Sequence, residues 1–400
     1  MAPIFAGIHP KMALAASNVS SGALVGLPIL CLLIFVLSLS GLEQAKAQPF
    51  FIGGYGDGIY LSRLAADGGI SPAVLLAEQK NPSFFCLHPS LDVLYVITET
   101  MRGDMEHPAS VAAYRFDREA IESGQAPRLS ALNSRHVDGD IPCHITIDSQ
   151  GRLLVIANYI NGSVVTFRIA PDGSIGDQGS NIVHQLVDGK KASNGHCSQI
   201  APGDQWVLVA DLGLDRVFVY ALEPETGKLT PSSHPYLRLP DGSGPRHLSF
   251  HPDGNTVYII NESNMTMSSA RWDSSAGRLS LINTTSTLPP ETEAAGFSTA
   301  EVLVHPNGRF VFGSNRGHDT IVTMQIDQQS GSIDRLGNTP TLGRTPRNFR
   351  ISPCGKFLLA ENQSTDNIFS FSIDLESGKL RATGHSITVP SPACIRFIDR

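Results

Sequence analysis

Charge is scarce in this sequence. Asp, Glu, Lys and Arg make up 17% of its 400 residues, and the net charge is −7 with a pI near 6.0. No Lys/Arg run is longer than the pair Lys190-Lys191. Binding through phosphate neutralisation needs clustered cations, so nucleic acid is excluded as a partner. Cysteine is sparse as well. Cys31 lies in an N-terminal apolar segment, and Cys86, Cys143, Cys197, Cys354 and Cys394 contain no C-x-x-C pair. That spacing gives neither a disulfide framework nor a zinc site, and the five read as buried apolar thiols. A G-x-S-x-G elbow, a Walker loop and a dinucleotide fingerprint are all missing, which removes the α/β-hydrolase triad and the common nucleotide folds. No metal and no cofactor is expected. Beyond residue 48 no long stretch repeats its apolar residues every 3.6 positions, so helices do not build this chain.

Glycine and proline are plentiful, 37 and 26 residues, above the usual joint share of about 12%. Many turns and short strands follow. Apolar residues at 41% are enough for a large core and argue against disorder.

The N-terminus is a separate object. No residue from Ala13 to Leu42 is charged, and residues 23–39 are almost wholly apolar. Ala45-Lys46-Ala47 follows, which fits the small-residue rule of a signal peptidase site. Residues 1–47 therefore read as a signal peptide, with an uncleaved signal anchor as the competing reading. Both place residues 48–400 across a membrane, in a periplasmic or extracellular space. Setting aside Lys11, Lys46 and Glu43 moves the net charge from −7 to −8.

The rest of the chain repeats one unit: an alternating apolar run, a Pro/Asp/Gly turn, and a second apolar run ending in a polar residue. It reads HLSFHPDGNTVYIINE at 247–262, EVLVHPNGRFVFGSNR at 301–316 and NFRISPCGKFLLAENQ at 348–363. Earlier copies begin at Phe84, His144 and Cys197. The turn markers Pro89, Ser149, Pro202, Pro252, Pro306 and Pro353 are 47 to 60 residues apart. A third strand pattern follows each copy, as at Ser163–Ile169 and Asn367–Asp374. Three or four short strands in each such period mark propeller blades. Six copies leave the two ends. Pro392–Phe397 matches a first strand, Pro49–Tyr55 a second and Gly58–Leu64 a third. The expected fold is all-β, one seven-bladed β-propeller over 48–400. Its last blade takes its inner strand from the C-terminus, which removes open sheet edges.

In such a blade the first strand lines the channel and the second returns beside it. The HPDG-type turn then lies on one face, and the start of the first strand and end of the second lie on the other. His88, His251 and His305 fall in these turns and read as turn-packing residues. Six positions before the marker stand Ser83, Cys143, His196, Arg246, Ala300 and Arg347, with Ala393 at the C-terminus. Ten positions after it stand Glu99, Tyr159, Leu212, Glu262, Arg316 and Gln363. These rings vary in chemistry between blades, as a ligand-reading surface does. The ring nine after the marker, which includes Asn261 and Asn315, is polar throughout, as strand ends that bond backbone are. Blades 3 to 5 bring His196, Arg246, Glu262 and Arg316 to one channel mouth. Two guanidinium groups suit carboxylate or phosphate oxygens, and a Glu or His beside them can move a proton. His247, His144, Asn261, Asn315 and Arg347 are the expected substrate contacts around them.

These segments resemble the seven-bladed lactonase family, which includes the bacterial propeller-type 6-phosphogluconolactonase and the fungal carboxy-cis,cis-muconate lactonising enzyme. The matching text includes Pro142-Cys-His-Ile-Thr-Ile-Asp, Ala157-Asn-Tyr-Ile-Asn-Gly-Ser-Val, Gly244-Pro-Arg-His-Leu-Ser-Phe-His-Pro and Ser314-Asn-Arg-Gly-His-Asp, and spans about 50–398. The resemblance implies a site of His196, Arg246, Glu262 and Arg316, the cluster reached by counting. Relatives often carry His-x-His before the third-blade strand; here it is Asn194-Gly-His196. The resemblance implies hydrolysis of a sugar or sugar-acid lactone, with Glu262 as general base and His196 as alternative base or as the acid on the leaving alkoxide. Arg246 and Arg316 would hold the oxyanion or a substrate anion. A cycloisomerase of a carboxymuconate-type diacid and a non-catalytic binding propeller are the alternatives. A monomer acting on a small-molecule substrate is expected.

Overall fold

The computed structural model describes residues 47–184 and 192–398. The leader expected over 1–47 lies outside the described residues except for Ala47. No helix among the described residues is long and apolar enough to cross a membrane.

The described residues form seven four-stranded antiparallel sheets, the blades of a seven-bladed β-propeller. Blade 4 shows the pattern: strands Pro245–Phe250, Thr256–Asn261, Thr266–Asp273 and Arg278–Ser286 run from channel to rim. The first two are joined by the tight turn His251-Pro-Asp-Gly254. The His251 amide donates to Thr256 O at 2.8 Å and Gly254 N to His251 O at 2.9 Å. Gly254 closes the turn at φ +74°, a conformation costly for residues with a Cβ.

The seventh blade closes as the matching ends predict. Its inner strand is Pro392–Phe397, and Gln48–Gly54, Gly58–Leu64 and Val74–Glu78 complete it. The closing ladder pairs Phe50 with Phe397 and Ile52 with Ile395.

Second strands are buried on both faces, which is why they read as continuous apolar runs. Tyr258, Ile259 and Ile260 have no exposure. Side chains from neighbouring blades meet in shared cores: Tyr258, Ile260 and Met267 of blade 4 with Val302, Val311 and Val322 of blade 5. Each such side chain contributes about 1.5–3 kcal/mol of burial. The turn histidines add polar clasps between blades. His251 Nε2 meets Gly308 O at 2.9 Å, His305 Nε2 meets Gly355 O at 2.8 Å and His88 Nε2 meets Gly151 O at 3.1 Å. The other ring nitrogen accepts from the residue's own turn, as His251 Nδ1 does from Asp253 N.

The only α-helix among the described residues, α1, spans Arg118–Glu122 and is capped by the Asp117 carboxylate. The thiol expectation needs one correction. Cys86, Cys143, Cys197 and Cys394 are buried and free, but Cys354 sits in the exposed turn of blade 6.

Candidate active site

A backbone irregularity recurs where the first strand of a blade begins. In blade 4 the ladder pairs Pro245 with Asn261 and then His247 with Ile260, so Arg246 is the extra residue of a β-bulge. The same skip isolates Cys143, His196, Arg347 and Ala393 in their blades. A bulge re-aims the side chain it carries. Five residues of the ring six positions before the marker are therefore bulged, and these five, with Ser83, line one small cavity at the channel mouth.

The lead-in to Arg246 is pinned from the preceding blade. Asp215 accepts from Gly242 N at 3.0 Å and from Gly244 N at 2.9 Å. Gly244 has φ +63°, and a Cβ there would lie 2.3 Å from Ser263 Oγ. Asp319 does the same for Arg347, accepting from Thr345 N at 2.8 Å.

Glu262 joins the two predicted arginines. Its Oε2 lies 2.9 Å from Arg246 Nε and 2.9 Å from Arg316 Nη2. Each guanidinium is also tied to backbone: Arg246 Nη1 donates to Ala300 O and Arg316 Nη2 to Thr299 O, both at 2.7 Å. Arg246 is 2% exposed, while the Glu262 side chain keeps 23% exposure at the mouth. Burial, then repulsion from Arg246, brings the Arg316 guanidinium down to about 10, so it stays charged at neutral pH.

His196 faces the same cavity, its ring edge-on to Tyr159 and His247 at 5.6 and 5.2 Å between centroids. Burial, reinforced by Arg246, holds it well below the usual imidazole range, and it is neutral at pH 7. His196 Nδ1, Ser83 Oγ and Arg316 Nε are buried without a protein hydrogen-bond partner. The cavity floor has about 10 Å³ open to the centre of a water molecule, room for one water.

Across the mouth lies a second ionic group, of which only Arg347 was expected from the sequence. Arg347 Nη2 donates to Tyr55 Oη at 2.5 Å, and Tyr55 donates to Glu99 at 2.8 Å. The Arg347 guanidinium also stacks 4.7 Å from the Tyr55 ring centroid. Glu99 stands in the ring ten positions after the marker, so counting could have found it. Tyr55 follows Gln48–Gly54, the second strand of the seventh blade, in the register that Glu262 holds in blade 4, so the same count reaches it.

Three expected substrate contacts sit elsewhere. Asn261 is fully buried, and its amide donates to Thr266 Oγ1 and Ser268 Oγ, both at 2.9 Å. Asn315 donates to Thr287 O at 3.1 Å. Adjacent strand residues face opposite ways, so when Glu262 and Arg316 face the mouth these asparagines face the blade interior. His144 lies beneath Phe84, 4.3 Å between ring centroids, and does not line the cavity. His247 does line it, but both ring nitrogens are engaged, with Arg246 at 3.2 Å and with Glu301 at 2.9 Å. Among the described residues no group of three or more His, Cys, Asp or Glu side chains is placed to hold a metal ion.

Comparison with known proteins gives the family of this fold. The family model described as "Lactonase, 7-bladed beta-propeller" matches residues 49–397. The 6-phosphogluconolactonase of Bacillus subtilis is 31% identical over 350 residues, 86% of this chain and 95% of the relative. That of Formosa agariphila is 29% identical over 309 residues, 74% and 82% of the two chains. The solved structure of the periplasmic gluconolactonase of Pseudomonas aeruginosa superposes with a TM-score of 0.81 at 28% identity, covering 88% of this chain and 99% of the other. The repeat, the closed seventh blade and the match along the whole propeller make this chain a member of the seven-bladed β-propeller lactonase family.

Proposed function

We propose that the protein hydrolyses a lactone of a sugar or sugar acid, and that Glu262, His196, Arg246 and Arg316 carry the chemistry. One observation supports this above the others: a single carboxylate oxygen held 2.9 Å from each of two fixed guanidinium groups, one of which, Arg246, lines a water-sized hollow together with the neutral His196. Family membership and the names of the relatives support the same reaction, with gluconate lactones, phosphorylated or not, as first substrates to try.

The lactone carbonyl carbon is attacked by a water whose proton passes to Glu262, or to His196 as the alternative base. The oxyanion that forms meets Arg246 and Arg316, charges already fixed before the reaction begins. The ring C–O bond then breaks, and the proton returns to the alkoxide from the group that took it, Glu262 or, where it is the base, His196. The product is the hydroxy acid. The apolar leader and the periplasmic relative support an exported enzyme.

The test is a pH-stat assay over δ- and γ-lactones with and without phosphate. Turnover of at least one is expected, falling about 10²–10⁴-fold in Glu262→Gln. Arg316→Ala is expected to raise the barrier by about 3–4 kcal/mol. Wild-type turnover in Glu262→Gln overturns the base assignment. No lactone opening, together with loss of a muconate chromophore, replaces hydrolysis by lactonisation.

A further inference from the structure

Behind Arg246 lies a fully buried carboxylate that the proposed reaction does not use. Glu301 is 5% exposed and stands one residue after the Ala300 carbonyl that Arg246 grips. Its Oε1 lies 2.9 Å from His247 Nδ1 and accepts from its neighbour's amide, Val302 N, at 2.8 Å. His247 Nε2 in turn lies 3.2 Å from Arg246 Nη1.

The donor inventory orients this chain. A guanidinium can only donate, so His247 Nε2 is the acceptor from Arg246. A neutral imidazole with Nε2 unprotonated carries its hydrogen on Nδ1, and that hydrogen points at the Glu301 carboxylate. A protonated His247, or the other tautomer, would set N–H against N–H at the guanidinium. Burial lowers the proton affinity of His247 despite the carboxylate; burial also raises that of Glu301, but His247, the Val302 amide and Arg246 together reverse it and bring Glu301 below its usual value, in agreement with the geometry.

We propose that Glu301 is a positioning residue that acts through His247: it selects the imidazole tautomer that accepts from Arg246. Arg246 is thereby held by its ion pair with Glu262 and at Nη1 by His247 and Ala300 O. The guanidinium is so oriented before the substrate arrives. The role rests on the reading of Arg246 as an oxyanion or substrate-anion donor. A buried carboxylate that sets a histidine tautomer is worth large factors in rate when the tautomer is wrong.

Two measurements on the full chain test it separately. Nitrogen-15 NMR of histidine-labelled protein should show His247 protonated at Nδ1 and bare at Nε2, and Glu301→Gln should disturb that state. Finding Nε2 protonated in the wild type overturns the proposal, whether or not the protein turns over lactones. For kinetics, His247→Gln places an amide oxygen near the Nε2 position, where it can accept from Arg246. His247→Asn can reach only the Glu301 side. The expected result is a kcat at least tenfold higher for His247→Gln than for His247→Asn, at matched Tm, and a kcat loss of about 100-fold or more for Glu301→Gln with KM little changed. Equal losses in the two His247 variants, or losses that follow Tm, reduce the pair to packing and overturn the role. A wild type that opens no lactone removes the hydrolase reading and leaves the tautomer result standing.

Discussion

Glu361 is a carboxyl with no exposure and no hydrogen-bond partner for either oxygen. Burial pushes its proton affinity well above the usual range, with Arg396 only partly opposing. The folded chain therefore keeps a proton that the unfolded chain releases near pH 4.5. Above that pH the unfolded state binds fewer protons, so stability falls as pH rises. Every pH unit over which only the folded chain holds this proton costs about 1.4 kcal/mol. Glu361→Gln should flatten this alkaline loss, and its Tm relative to wild type should improve from pH 5 to pH 8. An identical difference at both values rejects a protonated Glu361. The channel histidines work in the opposite direction. Burial lowers His144, His196 and His247, so the stability they contribute is complete above pH 6.5 and drains as pH falls below it. Denaturant titrations of the wild type should show stability falling from pH 7 to pH 5, and His144→Gln should shrink that slope. An unchanged slope places the proton uptake elsewhere.

At the scale of the strand and turn, the HPDG signature was legible because its spacing recurs and its glycine is forced. It also told the histidines' work in outline, packing rather than ligation. The partner, a glycine carbonyl in the next blade, lies 50 to 63 residues away, and no local pattern announces it. His251→Ala removes one clasp and should cost about 0.5–1.5 kcal/mol. It should leave kcat/KM untouched, because the turn lies on the face away from the mouth. Lost activity at full stability would contradict that separation. The bulges were the illegible element. A bulge changes register by one residue without changing composition, so counting found the mouth ring yet gave no hint that its residues are extruded. Glu301 was within reach of the count, five positions before its marker, and was passed over as part of an apolar strand. Blade 5 breaks register between Thr299 and Val302, and the residue in step with His247 and His144 there is an acid hidden in an apolar strand.

The architecture of the whole molecule was legible because a propeller is arithmetic: six internal copies and two complementary ends. The Arg246–Glu262–Arg316 group followed from the same count. The Tyr55–Glu99–Arg347 group stands in the same rings, but its members come from blades 7, 1 and 6 and meet only when the ring shuts. Deleting residues 390–400 removes the strand that pairs with Gln48–Gly54 and exposes cores containing Ile395 and Phe397. Such a chain should lose cooperative thermal unfolding and elute as aggregate in size-exclusion chromatography. A sharp transition in a soluble monomer would show that six blades hold without the seventh.

Tyr55 and Arg347 touch across 292 positions of chain. A polypeptide leaving the ribosome carries the first of them early and the second near its end, with the closing strand later still. The mouth therefore acts as its own completion check: an unfinished or clipped product has every blade-4 side chain it needs and still lacks a working entrance.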